Sequence, residues 1–191
     1  GYQSSKALTG GAANITIGHQ AMNNATLISS AIFIGANAGD AITTSTNPNG
    51  TIGIGYDALT ALTTGANTVA IGYQAGSTAT TINYTTIVGH QAGLKLLDST
   101  HNTLVGYTSG WSLGSDQADN NTFMGAAAGS NGDYTTTNNN TANNNVGIGK
   151  SSMGALQGSG SSFNFTATNN VAIGNNSMKN NKDSSENIAI G

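Results

Sequence analysis

The sequence predicts an all-β fold, a parallel β-solenoid of ten coils of about 17 residues each. Three observations predict it. A glycine preceded by an aliphatic residue recurs along the whole chain, β-branched residues alternate just before it, and a small residue stands three places after it.

The glycines are Gly18, Gly35, Gly55, Gly72, Gly89, Gly106, Gly125, Gly149, Gly174 and Gly191, with Gly1 in the same phase. Counted from Gly1, the successive intervals are 17, 17, 20, 17, 17, 17, 19, 24, 25 and 17. Six of the ten equal 17, so the unit is a 17-residue repeat that tolerates insertion. A unit this short cannot bury its own strand, and stacking on its neighbours is the economical solution.

The strand comes first in each unit. The residue before the glycine is Ile17, Ile34, Ile54, Ile71, Val88, Val105, Met124, Ile148, Ile173 or Ile190. Two places further back stand Ile15, Ile32, Ile52, Val69, Thr86, Thr103, Thr122, Val146, Val171 and Ile188. Alternation with period two describes a short strand with one face buried. These two ranks are expected to form the inner ladder. The residue between them, from Thr16, Phe33 and Gly53 through Ala172 and Ala189, is expected to point outward.

A turn follows. Three places after the glycine the side chain is Ala or Ser, as at Ala21, Ala38, Ala58 and Ser109, which marks a crowded site. The next residue is Gly, as at Gly39, Gly76, Gly93, Gly110 and Gly129, or an apolar residue unbranched at Cβ, as at Met22, Leu59, Met153 and Met178, with Ser5 as an outlier. That choice indicates a turn or a close backbone approach. Asn opens many units, at Asn14, Asn102, Asn121, Asn145, Asn170 and Asn187, where it can bond nearby backbone or stack on the Asn of the next coil.

The place after the glycine carries rings: Tyr2, His19, Tyr56, Tyr73, His90 and Tyr107, followed by Gln3, Gln20, Gln74 and Gln91. A ladder of rings stacked coil over coil is favoured here over a sugar-binding platform, and stacked or solvated His19 and His90 over an ion site.

The chain reads as a single repeat array over 1–191 with insertions near 40–50, 111–120, 130–144 and 155–169. All four fall between the turn of one unit and the strand of the next, so the extra loops should line one edge of the rod. Trp111 and Tyr134 lie in insertions and are candidate receptor-contact residues. The in-phase start and end suggest a piece of a longer array.

The apolar character of the expected outward position argues that this face is covered, most simply by another copy of the chain, the alternative being a second layer supplied by the chain itself. Asn67-Thr68-Val69-Ala70-Ile71-Gly72-Tyr73-Gln74-Ala75-Gly76, with Asn170-Val171-Ala172-Ile173-Gly174 and Asn187-Ile188-Ala189-Ile190-Gly191, resembles the N-x-V-A-I-G repeats of bacteriophage tail-fibre shafts. It is similar also to the heads of trimeric autotransporter adhesins. The resemblance covers essentially the whole chain. It implies a left-handed parallel β-roll, intertwined or packed as a homotrimer, with a role in surface attachment and no catalytic residues. Adhesin heads have shorter units than this one, so the tail-fibre comparison fits better.

Composition and motifs exclude other classes. Only 7% of residues are charged, and the five lysines, with no arginine, are too scattered to bind a phosphate backbone. No apolar run approaches the about 20 residues of a membrane helix, and there is no cysteine for a disulfide, a thiol nucleophile or a thiolate metal site. Gly110-Trp111-Ser112-Leu113-Gly114 matches a nucleophile elbow by letters, but His19, His90 and His101 all precede Ser112 where a triad needs histidine downstream. Gly147-Ile148-Gly149-Lys150-Ser151 lacks the first glycine of a phosphate loop. The acids Asp116, Asp119 and Asp133 match no calcium-loop spacing.

The expected function is therefore a structural or adhesive shaft segment of a viral tail fibre or cell-surface adhesin. It is extracellular and not an enzyme, has no cofactor or metal, and is partnered by itself and by a host-surface glycan or protein receptor. Alternatives are an ice-binding β-solenoid or the non-catalytic part of a polysaccharide-degrading tailspike.

Overall fold

Alternation along a strand sends successive side chains to opposite faces, so a three-residue strand points either its middle or its two flanks into the core. The computed structural model, which describes residues 1–43, 48–111, 113–114, 118–130, 142–154, 167–180 and 184–191, shows that the middle residue is the inward one. The strands are β1 (Ile15–Ile17), β2 (Ile32–Ile34), β3 (Ile52–Ile54), β4 (Val69–Ile71), β5 (Thr81–Asn83), β6 (Thr86–Val88), β7 (Asp98–Thr100), β8 (Thr103–Val105), β9 (Thr122–Met124), β10 (Val146–Ile148), β11 (Val171–Ile173) and β12 (Ile188–Ile190).

All strand pairings among the described residues are parallel. Ten strands form one sheet in the order β1-β2-β3-β4-β6-β8-β9-β10-β11-β12, while β5 and β7 pair separately. Register is strict, with Ile15 beside Ile32 and Val171 beside Ile188, so equivalent repeat positions stack. This is a parallel β-solenoid. Ten rungs bound at most nine rung-to-rung turns, so the ten full coils expected from the glycine count are a slight overcount.

The orientation of the strands corrects the sequence reading. Phe33, Ala70, Ile87, Leu104, Phe123 and Ala172 are fully buried, whereas Ile15, Ile17, Ile71, Met124, Ile148, Ile173, Ile188 and Ile190 are exposed. The Ile/Val ranks do form ladders, but on the outside. The inward wall of the opposite limb comes from residues such as Ile28, Leu62, Ile82 and Leu96.

A coil this thin leaves one narrow slot beside each inward strand residue, and the turn residue four places after the glycine fills it. Phe33, Ile87, Leu104 and Phe123 are matched by Gly39, Gly93, Gly110 and Gly129, while Thr16, Gly53, Gly147 and Ala172 are matched by Met22, Leu59, Met153 and Met178. The pairing is steric. A Cβ on Gly39 would lie 2.6 Å from the Phe33 ring, and one on Gly110 2.6 Å from Leu104. Ala70 with Gly76 departs from the rule, and there Ile87 and Leu59 from the neighbouring coils each reach within 3.0 Å of where a Gly76 Cβ would stand. This turn position is left-handed whichever residue occupies it, with φ of 58° at Gly76 and 53° at Leu59.

The repeat glycines have a different cause. They combine φ between 126° and 146° with stacking so close that a Cβ on Gly72 would overlap the carbonyl of Gly89. Only glycine satisfies both.

A buried Asn ladder locks the later coils. Asn121 accepts at Oδ1 from the backbone N–H and the Nδ2 of Asn145, both at 3.1 Å, and its own Nδ2 donates to the Ala142 carbonyl at 2.8 Å. The same arrangement links Asn102 to Asn121, Asn145 to Asn170 and Asn170 to Asn187. Asn102, Asn121, Asn145, Asn170 and Asn187 thus stack as expected, while Asn14 bonds backbone alone, donating to the Ile28 carbonyl and accepting from the Ala31 N–H.

Candidate functional site

The solenoid presents one long uniform surface. Side chains that alternate outward from every rung, all β-branched except Met124, give two ranks of ten, Ile15 to Ile188 and Ile17 to Ile190, on the ten-stranded sheet. Neighbours within a rank are about 4.8 Å apart and the two ranks about 7 Å apart. No member is charged. Each rung shields the next: Ile71 inside the ladder is 38% exposed and Ile190 at its end 74%. The middle of the first rank is polar, with Thr86, Thr103 and Thr122 in register on β6, β8 and β9.

Beside this face runs the ring ladder. Tyr56, Tyr73, His90 and Tyr107 form a continuous stack with centroid spacings of 5.4, 5.0 and 5.4 Å, and Tyr2 stacks on His19 at 5.6 Å. Ala36 interrupts it. Ring faces within the four-ring stack cover one another, and the next residue of each coil forms a second ladder, with Gln91 donating to Gln74 at 2.9 Å and Asn37 to Asp57 at 3.0 Å. The stack pins coil to coil, which is the reading favoured from sequence, and leaves only terminal ring faces for a sugar. Tyr84 and His101 form another stacked pair, at 5.1 Å, that the sequence reading did not identify. Both occupy left-handed backbone at the corner before the strand, where other coils place Asn67, Asn120, Asn144 and Asn169, so the signal was their shared phase five places before the glycine.

Trp111, a candidate receptor-contact residue, directly follows the Gly110 turn, is 4% exposed, and lies under Lys95, whose Nζ sits 4.6 Å from the ring centroid. A cation over the ring and burial leave little of its aromatic face at the surface. Tyr134 lies outside the described residues, as do Ser112 and most of the insertions near 130–144 and 155–169. Of the insertion near 40–50, Ile42 and Pro48 are buried.

Among the described residues, no group of three or more His, Cys, Asp or Glu side chains converges on a point that could hold a metal ion. His19 and His90 each stack on tyrosine. Comparison with protein-family models, curated proteins and solved structures finds no match to this chain.

Proposed function

We propose that this chain is a shaft segment of an attachment fibre, a viral tail fibre or a cell-surface adhesin, in which three copies pack together outside the cell and no catalytic chemistry takes place. One observation carries the reading: the two-rank face of Ile, Val, Thr and Met, ten rungs long and free of charge. Its length is about 43 Å, from nine spacings of about 4.8 Å, and so much contiguous apolar surface favours burial.

The best partner for this face is another copy. Side chains repeating every 4.8 Å over such a length interdigitate fully only with a surface of the same period, which an identical ladder supplies. The absence of charge removes repulsion between like faces and offers nothing to a charged partner. Function is then mechanical: stacked coils supply length and stiffness, and contact with a host glycan or protein falls to the insertions between turn and strand.

Light scattering or native mass spectrometry tests this. The chain is expected at the mass of a trimer, and Ile54→Lys with Ile71→Lys, placed mid-face, is expected to reduce it to a folded monomer. A native chain that is monomeric at micromolar concentration refutes the assembly. The flat two-rank lattice also favours a second reading, an ice-binding solenoid. It becomes the leading one if the chain is monomeric and shows thermal hysteresis that the same lysines abolish.

A further inference from the structure

Three hydroxyls interrupt the outer face. Thr86, Thr103 and Thr122 occupy the fifth, sixth and seventh of ten rungs, where the other seven positions of that rank are Ile or Val. Their hydroxyls make no hydrogen bond within the chain among the described residues. Some threonines elsewhere spend their hydroxyls within the chain, although Thr51 is buried without a partner. Thr64 donates to the Thr81 hydroxyl at 2.9 Å, and Thr80 to the Leu97 carbonyl at 3.0 Å. The outer row thus keeps its hydrogen-bonding capacity in a surface otherwise made of methyl groups.

We propose that this row sets the axial register between copies, with rung six of one chain facing rung six of the next. The inference rests on the self-association reading above. A hydroxyl is both donor and acceptor, so a threonine facing a threonine satisfies itself, while one pressed against Ile or Val is buried without a partner. Without the row, the two ranks are nearly periodic, and a ladder can slide on its twin by one rung at the loss of only the end contacts. With it, each rung of slip strands one more hydroxyl, and a slip of three strands all of them. A single polar position in an otherwise apolar seam sets register in coiled coils by the same physics. Because rungs five to seven map onto themselves whether copies run parallel or antiparallel, rung six meets rung six in both.

The chain contains no cysteine, so introduced thiols report without background. Val105→Cys places a thiol on rung six beside the Thr row without altering it, and Ile54→Cys places one on rung three. Val105→Cys copies are expected to cross-link to one another through a short bis-maleimide, while mass-tagged Ile54→Cys copies mixed with them give no mixed product. In the Thr86→Val, Thr103→Val, Thr122→Val background, which preserves shape and removes the hydroxyls, the mixed product is expected to rise to the level of the matched one. Native light scattering on the same samples separates the two ideas. Oligomers in which rung six does not cross-link to rung six, or in which the valines leave the pattern unchanged, overturn the register proposal and leave association standing. A monomer overturns both.

Discussion

Phe123 and Gly129 offer the sharpest test of how the core is built. Phe123 is fully buried, and its ring occupies the space where a Cβ on Gly129 or on Gly147 would stand. Phe123→Ala leaves a ring-sized void in a coil with no second layer to collapse into it, a loss of about 3–5 kcal/mol. Gly129→Leu alone drives a side chain into the ring and places Leu at φ 61°, for roughly 1–3 kcal/mol of overpacking plus about 1–2 kcal/mol of left-handed strain. Independent effects would sum to about 5–10 kcal/mol. Together, however, the two changes recreate the Gly53–Leu59 arrangement, in which Leu at φ 53° fills the space beside a small strand residue. Leu burial returns roughly 1.5–3 kcal/mol of the lost core, so the double variant is expected to lose only about 2–4 kcal/mol. The assay is native-state hydrogen exchange at the Thr122 and Gly125 amides, which bond to Asn145 and Val105 in the neighbouring coils at 2.8 Å. Local exchange is preferable to a global melt because a linear array can open in segments. Additivity within about 0.5 kcal/mol would refute the volume-matching argument.

Other outcomes follow from the same geometry. Asn121→Ala removes the partners of the Ala142 carbonyl and the Asn145 N–H, for an expected loss of about 2–4 kcal/mol, seen as accelerated exchange at Asn145; unchanged protection there would show that the ladder is ornamental to stability. Gly72→Ala places a Cβ onto the Gly89 carbonyl at φ 140° and is expected to abolish the β circular-dichroism signal of the central coils. Gly50→Asn, at φ 70° in a corner where other coils carry Asn, would set its Cβ 2.7 Å from the movable Asn67 amide oxygen and not against backbone, and is by contrast expected to change stability by less than about 1 kcal/mol in urea unfolding; equal damage at both glycines contradicts the steric argument for Gly72. Tyr73→Ala breaks two stacked pairs and Tyr2→Ala one, so at about 0.5–1.5 kcal/mol per pair the first should lower the melting temperature about twice as far.

Much of this was legible in one dimension. The glycine period, the parallel stacking of equivalent positions, the Asn ladder and the ring stack all follow from what a 17-residue unit must do to bury itself. Which face of the strand lies inside was not legible from β-branching, because alternation defines two faces without naming the inner one. A signal was present all the same. Asn102, Asn121, Asn145 and Asn170 share strand parity with the residue two places on, and hydrogen-bonded amides stacked between coils belong inside. The reciprocal sizes of Phe33 and Gly39, or of Gly53 and Leu59, pointed the same way. The burial of Trp111 was not legible from the glycine phase, because the first residue counted into that insertion still belongs to the turn.

The sequence alone determined that this protein is a stack of short parallel strands, because no other arrangement buries units of this length and pattern. Only the tertiary structure decided that the middle residue of each strand and its turn partner fill the interior together with residues such as Ile28, Leu62, Ile82 and Leu96, since the width of the closed coil sets how much volume fits. The same closure turned the Ile and Val ranks outward, so the apolar face exposed on this chain is the opposite of the one the sequence indicated.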